Sequence, residues 1–386
     1  MAGGKEGIVM RQADMVVIGG GIAGLSHAAR LAQHGTVVVL EGESAPGYHA
    51  SGRSVAFAHF GLGDAIVRAL TALSLPDLAA PPAEGHPALA VRHPALHIAR
   101  ADEVAVLDAL EEVHRQFGCD NVRITPDEAR ALLPVLKTGP EHCHAALVDH
   151  GSLKLDTDAM LAAHLADLRA HGGTLVTGAQ VSAIKRQGSG WQVAAGGETY
   201  AAPLVINAAG AWADKVAQMA AVTPIGIEPR RRTVISFAGP DSEDVSPWPF
   251  TKTVGKGFYL LPEGRGQLIA SSMDQTPSDP CDAASEELDI AIAADRVEQA
   301  TTLPIRRISH SWAGLRSFAP DELPVIGHAA RAPGFVWCAG QGGYGFQTAP
   351  ALSLIAESAV LGLPFPDDCA EAGLSFAMFS PARLGA

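Results

Sequence analysis

The sequence predicts an α/β protein, in which a Rossmann-like dinucleotide-binding domain carries an inserted mixed-sheet (α+β) domain. A glycine-rich turn at 19–24 separates two short apolar runs, as in a β-α-β unit. Two later apolar runs, at 204–210 and 334–345, also end in glycines. Between these segments the chain alternates apolar and polar residues, which is typical of antiparallel strands. One α/β layer is therefore built from the beginning, middle and end of the chain.

The first β-α-β unit has a strand, a helix and a second strand in about 28 residues. Uninterrupted apolar runs predict the two buried parallel strands, and small apolar residues at helical spacing predict the helix between them. We expect ordered structure to begin at Asp14. The predicted elements are a strand at 15–18, a helix at 22–33 and a strand at 36–40 that Glu41 closes.

Later parts of the chain add to the same layer. Residues 173–184 alternate around Gly178 in the way that paired strands do, and the segment after Asn207 has the spacing of a helix. The remaining predictions are strands at 204–207 and 334–339 and helices at 212–219 and 349–361.

The inserted domain is predicted from two stretches of different character. One holds a charged helix at 103–116, and the other alternates as antiparallel strands do. We therefore assign 14–85, 146–225 and 318–386 to the dinucleotide-binding domain, 86–145 and 226–317 to the inserted substrate domain, and 1–13 to a short tail.

Composition excludes several classes of function. The net charge of the 386 residues is −13, which disfavours nucleic-acid binding, and no apolar run is long enough for an integral membrane segment. Five scattered cysteines lack the spacing of a metal site, so we expect no metal and a cytoplasmic location, with contact at the inner membrane left open. His114 and Arg115, on the charged helix, are expected to be solvated.

The pattern Gly19-Gly20-Gly21-Ile22-Ala23-Gly24 is G-x-G-x-x-G in the context that a dinucleotide site requires. Gly19 permits a tight turn, Gly21 lets the backbone approach a pyrophosphate, and Gly24 lets helix and strand pack closely. Glu41 is placed to accept hydrogen bonds from a ribose diol and would repel a 2′-phosphate. NAD and FAD both fit this pattern.

Further segments resemble the D-amino-acid oxidase-like flavoproteins over nearly the whole chain. Within that family the chain is most similar to the flavin-dependent D-arginine dehydrogenases. The segments that carry the resemblance are 17–24 with Glu41, 47–49 (Gly-Tyr-His), 207–212, 313–318 (Ala-Gly-Leu-Arg-Ser-Phe), 321–327 and 340–347.

The resemblance implies noncovalent FAD, because the cysteine that tethers flavin in some members falls near Gly314 here. Cys338, in a predicted strand, is expected to be a buried inert thiol. Val181 is implied to contact adenine through its backbone, and Gln347 and Thr348 to hydrogen-bond near the pyrimidine edge. The implied cofactor residues are Gly19, Gly21, Ile22, Ala23, Gly24, Glu41, Gly42, Ser51, Gly52, Ser54, Val181, Ala209, Gly210, Gly342, Gly345, Phe346, Gln347 and Thr348.

The catalytic residues implied by the family are Arg316, Arg232, Tyr259 and Gly343. Two arginines suit a substrate carboxylate because a guanidinium forms two parallel charge-assisted hydrogen bonds. Each has a structural alternative: a buried salt bridge for Arg316, solvated charge for one or more of residues 230–232, and sheet packing for Tyr259. Strand alternation places Arg230 and Arg232 on one face, and we favour Arg232.

The substrate pocket differs from that of the D-arginine dehydrogenases. The tyrosine and histidine that surround their substrate correspond to Leu62 and Phe57, and residues 88–99 contain no Asp or Glu. A buried guanidinium would find no partner here. The sequence therefore favours a neutral, apolar side chain.

The predicted function is oxidative deamination of a D-amino acid, with hydride transfer from the α carbon to flavin N5 and release of a 2-oxo acid and ammonia. A secondary amine such as sarcosine or proline, a 2-hydroxy acid, and a flavin-binding scaffold without turnover remain as alternatives. The lysine that promotes oxygen reactivity in sarcosine-oxidase-like relatives falls at Leu268. A dehydrogenase that reduces a quinone or another acceptor is therefore expected.

Overall fold

The computed structural model describes residues 10–82, 84–85, 87–241, 244–264 and 266–385. The strands are β1 (Met10–Gln12), β2 (Met15–Ile18), β3 (Val37–Leu40), β4 (Phe57–Ala58), β5 (Ala90–Arg92), β6 (Ala95–Ala99), β7 (Asn121–Ile124), β8 (Ala145–Asp149), β9 (Leu153–Leu155), β10 (Thr174–Val176), β11 (Val181–Gln187), β12 (Gly190–Ala195), β13 (Glu198–Ala202), β14 (Leu204–Asn207), β15 (Glu228–Ala238), β16 (Phe250–Thr253), β17 (Tyr259–Pro262), β18 (Gln267–Ser271), β19 (Thr276–Pro277), β20 (His310–Phe318), β21 (Val325–His328) and β22 (Phe335–Ala339). The helices are α1 (Ile22–Leu31), α2 (Ala65–Leu78), α3 (Val104–Gln116), α4 (Pro126–Leu132), α5 (Thr157–Ala170), α6 (Ala213–Met219), α7 (Glu287–Ala300), α8 (Gly345–Leu361), α9 (Asp367–Glu371) and α10 (Phe376–Phe379).

A six-stranded sheet forms the predicted α/β layer. Its strand order is β10-β3-β2-β14-β22-β21, and every neighbouring pair is parallel except β21 and β22. Helices α1, α2, α5 and α8 pack on one face, while α6 and the sheet β1-β13-β12-β11 cover the other. Both faces are thus buried, which explains why the strands read as continuous apolar runs.

A nine-stranded sheet forms the inserted domain. Its order is β19-β15-β18-β17-β16-β6-β8-β7, with β20 paired to the other edge of β15. Helices α4 and α7 pack on one face. The opposite face, with Val234 and Tyr259, packs against Phe57 of the segment that follows the first β-α-β unit. The small sheet β4-β9-β5 lies beside this contact.

The structure corrects several boundaries predicted from sequence. Met10–Gln12 is not part of a tail, because β1 pairs in parallel with β13. The strands predicted to pair around Gly178 lie in different sheets: β10 pairs with β3, and β11 pairs with β12. Strand β8 crosses the predicted boundary at 145/146 and pairs with β6 and β7 of the inserted domain. The last long helix begins at Gly345, four residues before the predicted start.

Alternation of apolar and polar residues predicts that a segment is a strand but does not predict which strand it pairs with. This explains the errors in strand pairing.

In the part of the chain that the structure describes, no helix has the length and apolar character needed to cross a membrane.

Candidate active site

Two connected cavities lie between the six-stranded sheet and the inserted domain. The first has a volume of about 340 Å³ and begins at the carboxyl ends of β2, β3 and β14. The second has a volume of about 220 Å³ and faces the nine-stranded sheet. Both are lined by Gly21, Ser51, Arg53 and Gly210. Ligands of open α/β sheets bind at this edge of the strands.

The glycine turn before α1 leaves no room for side chains. Gly19 has a φ of +109°, and a Cβ atom there would lie 2.5 Å from the carbonyl oxygen of Ala208. A Cβ on Gly24 would overlap the carbonyl group of Gly19, so helix and strand touch through backbone. The amide of Ile22 donates a hydrogen bond to Ser51 Oγ at 3.0 Å. Gly21 at the start of α1 lines both cavities, and Ile22 and Ala23 line the second. The N-terminus of α1 thus borders the space that a pyrophosphate would need.

Glu41 lines the first cavity at the end of β3. Its carboxylate accepts hydrogen bonds from the amides of Gly20 at 2.6 Å and Glu43 at 2.9 Å. These two bonds fix the carboxylate beside the glycine turn. An anion at this position can accept hydrogen bonds from a ribose diol.

Most of the residues predicted to hold the cofactor line one or both cavities. Gly19, Gly21, Glu41, Gly42, Ser51, Val181, Ala209 and Gly210 line the first cavity. Gly21, Ile22, Ala23, Ser51, Ser54, Gly210, Gly342, Gly345, Phe346 and Gln347 line the second.

Three predicted cofactor residues line neither cavity. Gly24 serves packing inside α1, and Gly52 borders a neighbouring groove. Thr348 is fully buried, and both its amide and its hydroxyl donate to the carbonyl oxygen of Tyr344. The hydroxyl proton is therefore used within α8, and the hydrogen bond near the pyrimidine edge stays a prediction.

Arg316 presents an unpaired cation to the second cavity. Its Nε and Nη2 atoms are buried and have no hydrogen-bond partner among the residues that the structure describes. Burial, followed by the nearby charge of Arg232, lowers the pKa of Arg316 to about 9. The guanidinium therefore stays positive at neutral pH. Because an unpaired buried charge is costly, this arrangement favours an anionic ligand.

Arg232 is a second cation in the same cavity. Its Nε donates to the carbonyl oxygen of Asp274 at 2.8 Å, and the Asp274 carboxylate lies 3.8 Å from it. Burial lowers its pKa, which the nearby Tyr259 and Asp274 oppose. The neighbouring arginines differ: Arg230 pairs with Glu228 and Glu322, and Arg231 with Glu286 and Asp289. Within this trio, only Arg232 lines the second cavity.

Tyr259 and Gly343 complete the predicted clamp. Tyr259 lines the cavity and is 9% exposed, and burial raises the pKa of its phenol although Arg232 opposes this shift. A Cβ on Gly343 would overlap the Arg316 guanidinium. Glycine at this position is therefore needed for the observed position of Arg316.

The side of the cavity away from Arg316 is not purely apolar. Phe57 and Leu62 line it as predicted, and the Phe57 ring stacks on Phe250 with 4.4 Å between centroids. His59 and Lys252 also line it. Neither residue was predicted from the sequence, although alternation in β16 places Lys252 on the same face as the apolar Phe250.

A lysine lines the second cavity, although the residue aligned with the relatives' lysine is Leu268. Leu268 is fully buried in the core between the nine-stranded sheet and its helices, and it lines neither cavity. Burial lowers the pKa of Lys252 to about 8, and the charges of Arg232 and Arg68 add to this effect. Lys252 thus brings a cation to this cavity from a position other than that of Leu268.

A row of buried histidines continues from the cavity into the inserted domain. His59 lies 5.4 Å from His97 and His97 lies 5.9 Å from His114, measured between ring centroids. His114 was predicted to be solvated, but it is fully buried and its Nε2 lies 3.2 Å from Asp149 Oδ2. Burial and neighbouring cations hold the pKa values of His59 and His97 well below the usual range. Both rings are therefore neutral at physiological pH.

Comparisons with known proteins agree with this architecture. The family described as FAD dependent oxidoreductase (DAO) matches residues 14–357. The uncharacterized oxidoreductase YurR of Bacillus subtilis is 24% identical over 253 residues, which span 63% of this chain and 63% of that protein. The match thus covers less than two thirds of that relative's length.

Two solved structures share the fold over nearly their whole length. L-proline dehydrogenase from P. horikoshii has a TM-score of 0.82 and 21% identity, covering 98% of this chain and 99% of that one. Glycine oxidase from Geobacillus kaustophilus has a TM-score of 0.78 and 21% identity, covering 95% and 99%.

Proposed function

The chain belongs to the DAO family of FAD-dependent oxidoreductases, and from this premise we propose that it oxidises an amino acid at the α carbon. FAD is its cofactor. When bound, FAD accepts a hydride from the substrate. The resulting imine is hydrolysed by water to a 2-oxo acid and ammonia. We propose the D configuration because of the segments shared with D-arginine dehydrogenases.

The observation that carries this proposal is the unpaired Arg316 guanidinium in the second cavity. Arg316 and Arg232 would bind the substrate carboxylate, and the Tyr259 hydroxyl would donate a third hydrogen bond. Holding the carboxylate fixes the orientation of the adjacent Cα–H bond. Such positioning is the main contribution of the protein in a flavoenzyme.

The first cavity would hold the adenosine and pyrophosphate of FAD. The N–H groups at the start of α1 would bind the phosphates, and Glu41 would bind the ribose diol. We propose that FAD is noncovalent, because Gly314 stands where some relatives carry the tethering cysteine.

A cationic side chain on the substrate would be disfavoured. No Asp or Glu lines the second cavity among the described residues, whereas Arg53, Arg232, Lys252 and Arg316 all do. A guanidinium or ammonium on the substrate would therefore meet only like charges. We propose that D-arginine and D-lysine are poor substrates, in contrast to the implied relatives.

The electron acceptor is proposed from the resemblance alone. A quinone or another acceptor would take the electrons in a dehydrogenase. The uncharged Leu268 does not support this choice, because Lys252 brings a cation to the cavity. Stopped-flow reoxidation decides it: slow reaction with air-saturated buffer supports a dehydrogenase, and reoxidation at the turnover rate with stoichiometric peroxide contradicts it.

Anaerobic mixing of the holoenzyme with D- and L-amino acids tests the main proposal. We expect D-amino acids to bleach the oxidised flavin absorbance, with formation of the matching 2-oxo acid. Sarcosine, proline and 2-hydroxy acids belong in the same panel, because the clamp would also bind their carboxylates. Bleaching by none of these compounds would favour a scaffold without turnover, although a scaffold has no need of unpaired buried arginines.

A further inference from the structure

Lys252 is a buried cation that the carboxylate clamp leaves unexplained. It is 8% exposed, lies in the middle of β16, and lines the second cavity. Its ammonium donates to the carbonyl oxygen of Thr253 at 3.2 Å. It forms no ion pair with any carboxylate that the structure describes.

The sheet register places Lys252 next to Tyr259 and on a different strand from the two arginines of the clamp. Lys252 lies opposite Tyr259 across β16 and β17, and Tyr259 lies opposite Ser271 across β17 and β18. Arg232 is on β15, the next strand beyond β18. Neighbouring strands are about 4.8 Å apart. Tyr259 therefore stands between the arginines at one end of the cavity and Lys252 at the other.

Two buried imidazole rings lie near Lys252 at this end. His97 lies opposite Lys252 across β6 and β16, is fully buried, and has no hydrogen-bond partner for either ring nitrogen among the described residues. The His59 ring is next to it and lines the cavity. Neutral imidazoles can donate hydrogen bonds to an anion. Lys252 and the His59 ring thus line the same small volume, and the His97 ring lies next to His59 outside the cavity lining.

A single substrate carboxylate would not neutralise all the cations that line the second cavity. Asp282 neutralises Arg53, and Asp274 lies near Arg232. A substrate α-carboxylate would neutralise Arg316. Lys252 would still have no counterion, and a buried cation without one is unfavourable.

We propose that Lys252 binds a second anionic group, so that the substrate is an amino dicarboxylate of about the size of aspartate or glutamate. This inference rests on the proposed function, and it replaces the preference for an apolar side chain predicted from sequence. The α-carboxylate would bind Arg316 and Arg232. The side-chain carboxylate would bind Lys252, with His59 as an additional donor, while Phe57 and Phe250 would enclose the carbon chain.

The test compares substrates of equal shape and different charge. The holoenzyme is mixed anaerobically with aspartate or asparagine, and with glutamate or glutamine, each as both enantiomers. The quantity compared is the rate constant of flavin reduction divided by the dissociation constant of the substrate. We expect it to be at least about tenfold higher for the dicarboxylate than for its amide. A wild-type preference for the amides would overturn the proposal.

Three variants assign the preference to Lys252. In Lys252→Met, which keeps the length of the side chain, the dicarboxylate-to-amide ratio should fall by at least about tenfold, to about one or below. Lys252→Arg should keep the preference, which separates lost charge from lost packing. Lys154→Met is the matched control, because Lys154 pairs with Glu263 outside this cavity, and its ratio should equal that of wild type.

The outcomes separate this inference from the proposed function. An equal slowing of all substrates in Lys252→Met would overturn the inference and make Lys252 a general contributor to the reaction. Bleaching by malate or glycerol 3-phosphate in place of amino acids would overturn amine oxidation, but it would support an anion at Lys252. Bleaching by alanine alone would support amine oxidation and overturn the inference.

Discussion

Arg316 is the residue on which substrate binding should depend most. Replacing it with methionine removes the unpaired guanidinium and should leave the first cavity intact. We expect Arg316→Met to retain FAD and to lose at least about 10³ in kcat/KM, which corresponds to roughly 4 kcal/mol of transition-state stabilisation. The flavin spectrum and anaerobic reduction kinetics of the same sample measure both quantities.

The control for Arg316 is its cross-strand neighbour. Arg230 lies opposite Arg316 in the sheet, but its guanidinium pairs with Glu228 and Glu322 at the surface. Surface ion pairs contribute little, so Arg230→Met should change kcat/KM by less than about threefold. Equal losses in the two variants, or loss of FAD from Arg316→Met, would make Arg316 a structural residue.

Gly343 tests whether the position of Arg316 matters. A Cβ there would lie 2.9 Å from Arg316 Cδ and would also overlap its guanidinium, so Gly343→Ala must displace the side chain. We expect FAD binding to persist and kcat/KM to fall at least about tenfold, since small misplacements of a positioning group are costly. Gly314→Ala, whose nearest contact would be 3.5 Å, should lose less. Equal effects would show that the cavity tolerates no added methyl group at all.

At this scale the sequence predicted the clamp and missed the opposite end of the cavity. Arg316 and Gly343 were predicted because they lie in segments shared with a known family, and Tyr259 because it stands at the position of a family tyrosine. Lys252 and His59 lie in segments that carry no such pattern. Alternation placed Lys252 on the face of Phe250, but which face borders a cavity depends on the packing of two sheets that are distant in sequence.

Helix α1 makes the stability of the molecule depend on pH through His27. This side chain is 1% exposed, and burial lowers its pKa to about 4. The unfolded chain takes up the proton near the usual pKa of about 6.5. Above about pH 6.5 His27 is neutral in the folded and the unfolded chain, so its protonation does not lower the free energy of unfolding. As the pH falls from about 6.5 to about 4, the unfolded chain binds the proton and the folded chain does not. The free energy of unfolding therefore decreases over this range, by up to about 1.4 kcal/mol per pH unit.

Urea unfolding between about pH 7 and about pH 5 measures this dependence. His27→Leu should reduce the slope, because it removes this buried imidazole. The acidic groups whose pKa is lowered in the folded state titrate below this window. An unchanged slope in His27→Leu would assign the acid sensitivity to other groups.

Strands and helices could be predicted from the sequence where a residue pattern is compatible with only one type of secondary structure. The run at 15–18, the glycine turn and the helix after it were confirmed, since a buried parallel strand followed by G-x-G-x-x-G has few alternatives. Pairing was not predictable in the same way. Strand β1 has three exposed residues and no apolar pattern, and only its parallel partner β13 makes it a strand.

At the scale of the whole molecule, the two domains share the walls of both cavities. The first cavity takes Cys281, Asp282 and Ala283 from the inserted domain. Arg53 joins the two sides by donating to the carbonyl oxygen of Ala283 at 2.7 Å and pairing with Asp282. FAD should therefore stabilise both domains together, by about 2.7 kcal/mol at a free concentration of 100 times the dissociation constant.

Denaturation of the holoenzyme should release FAD. Cys338 is fully buried in β22, and its pKa of about 12 makes the thiol unreactive, while Gly314 offers no side chain for a bond. We expect acid or heat to release all the flavin as intact FAD, and added FAD to raise the melting temperature of the apoprotein. Chromatography of the supernatant and calorimetry measure these effects. Flavin fluorescence that stays with the denatured chain would show a covalent bond, and Cys281→Ser and His49→Gln would then identify it, because both side chains line the first cavity.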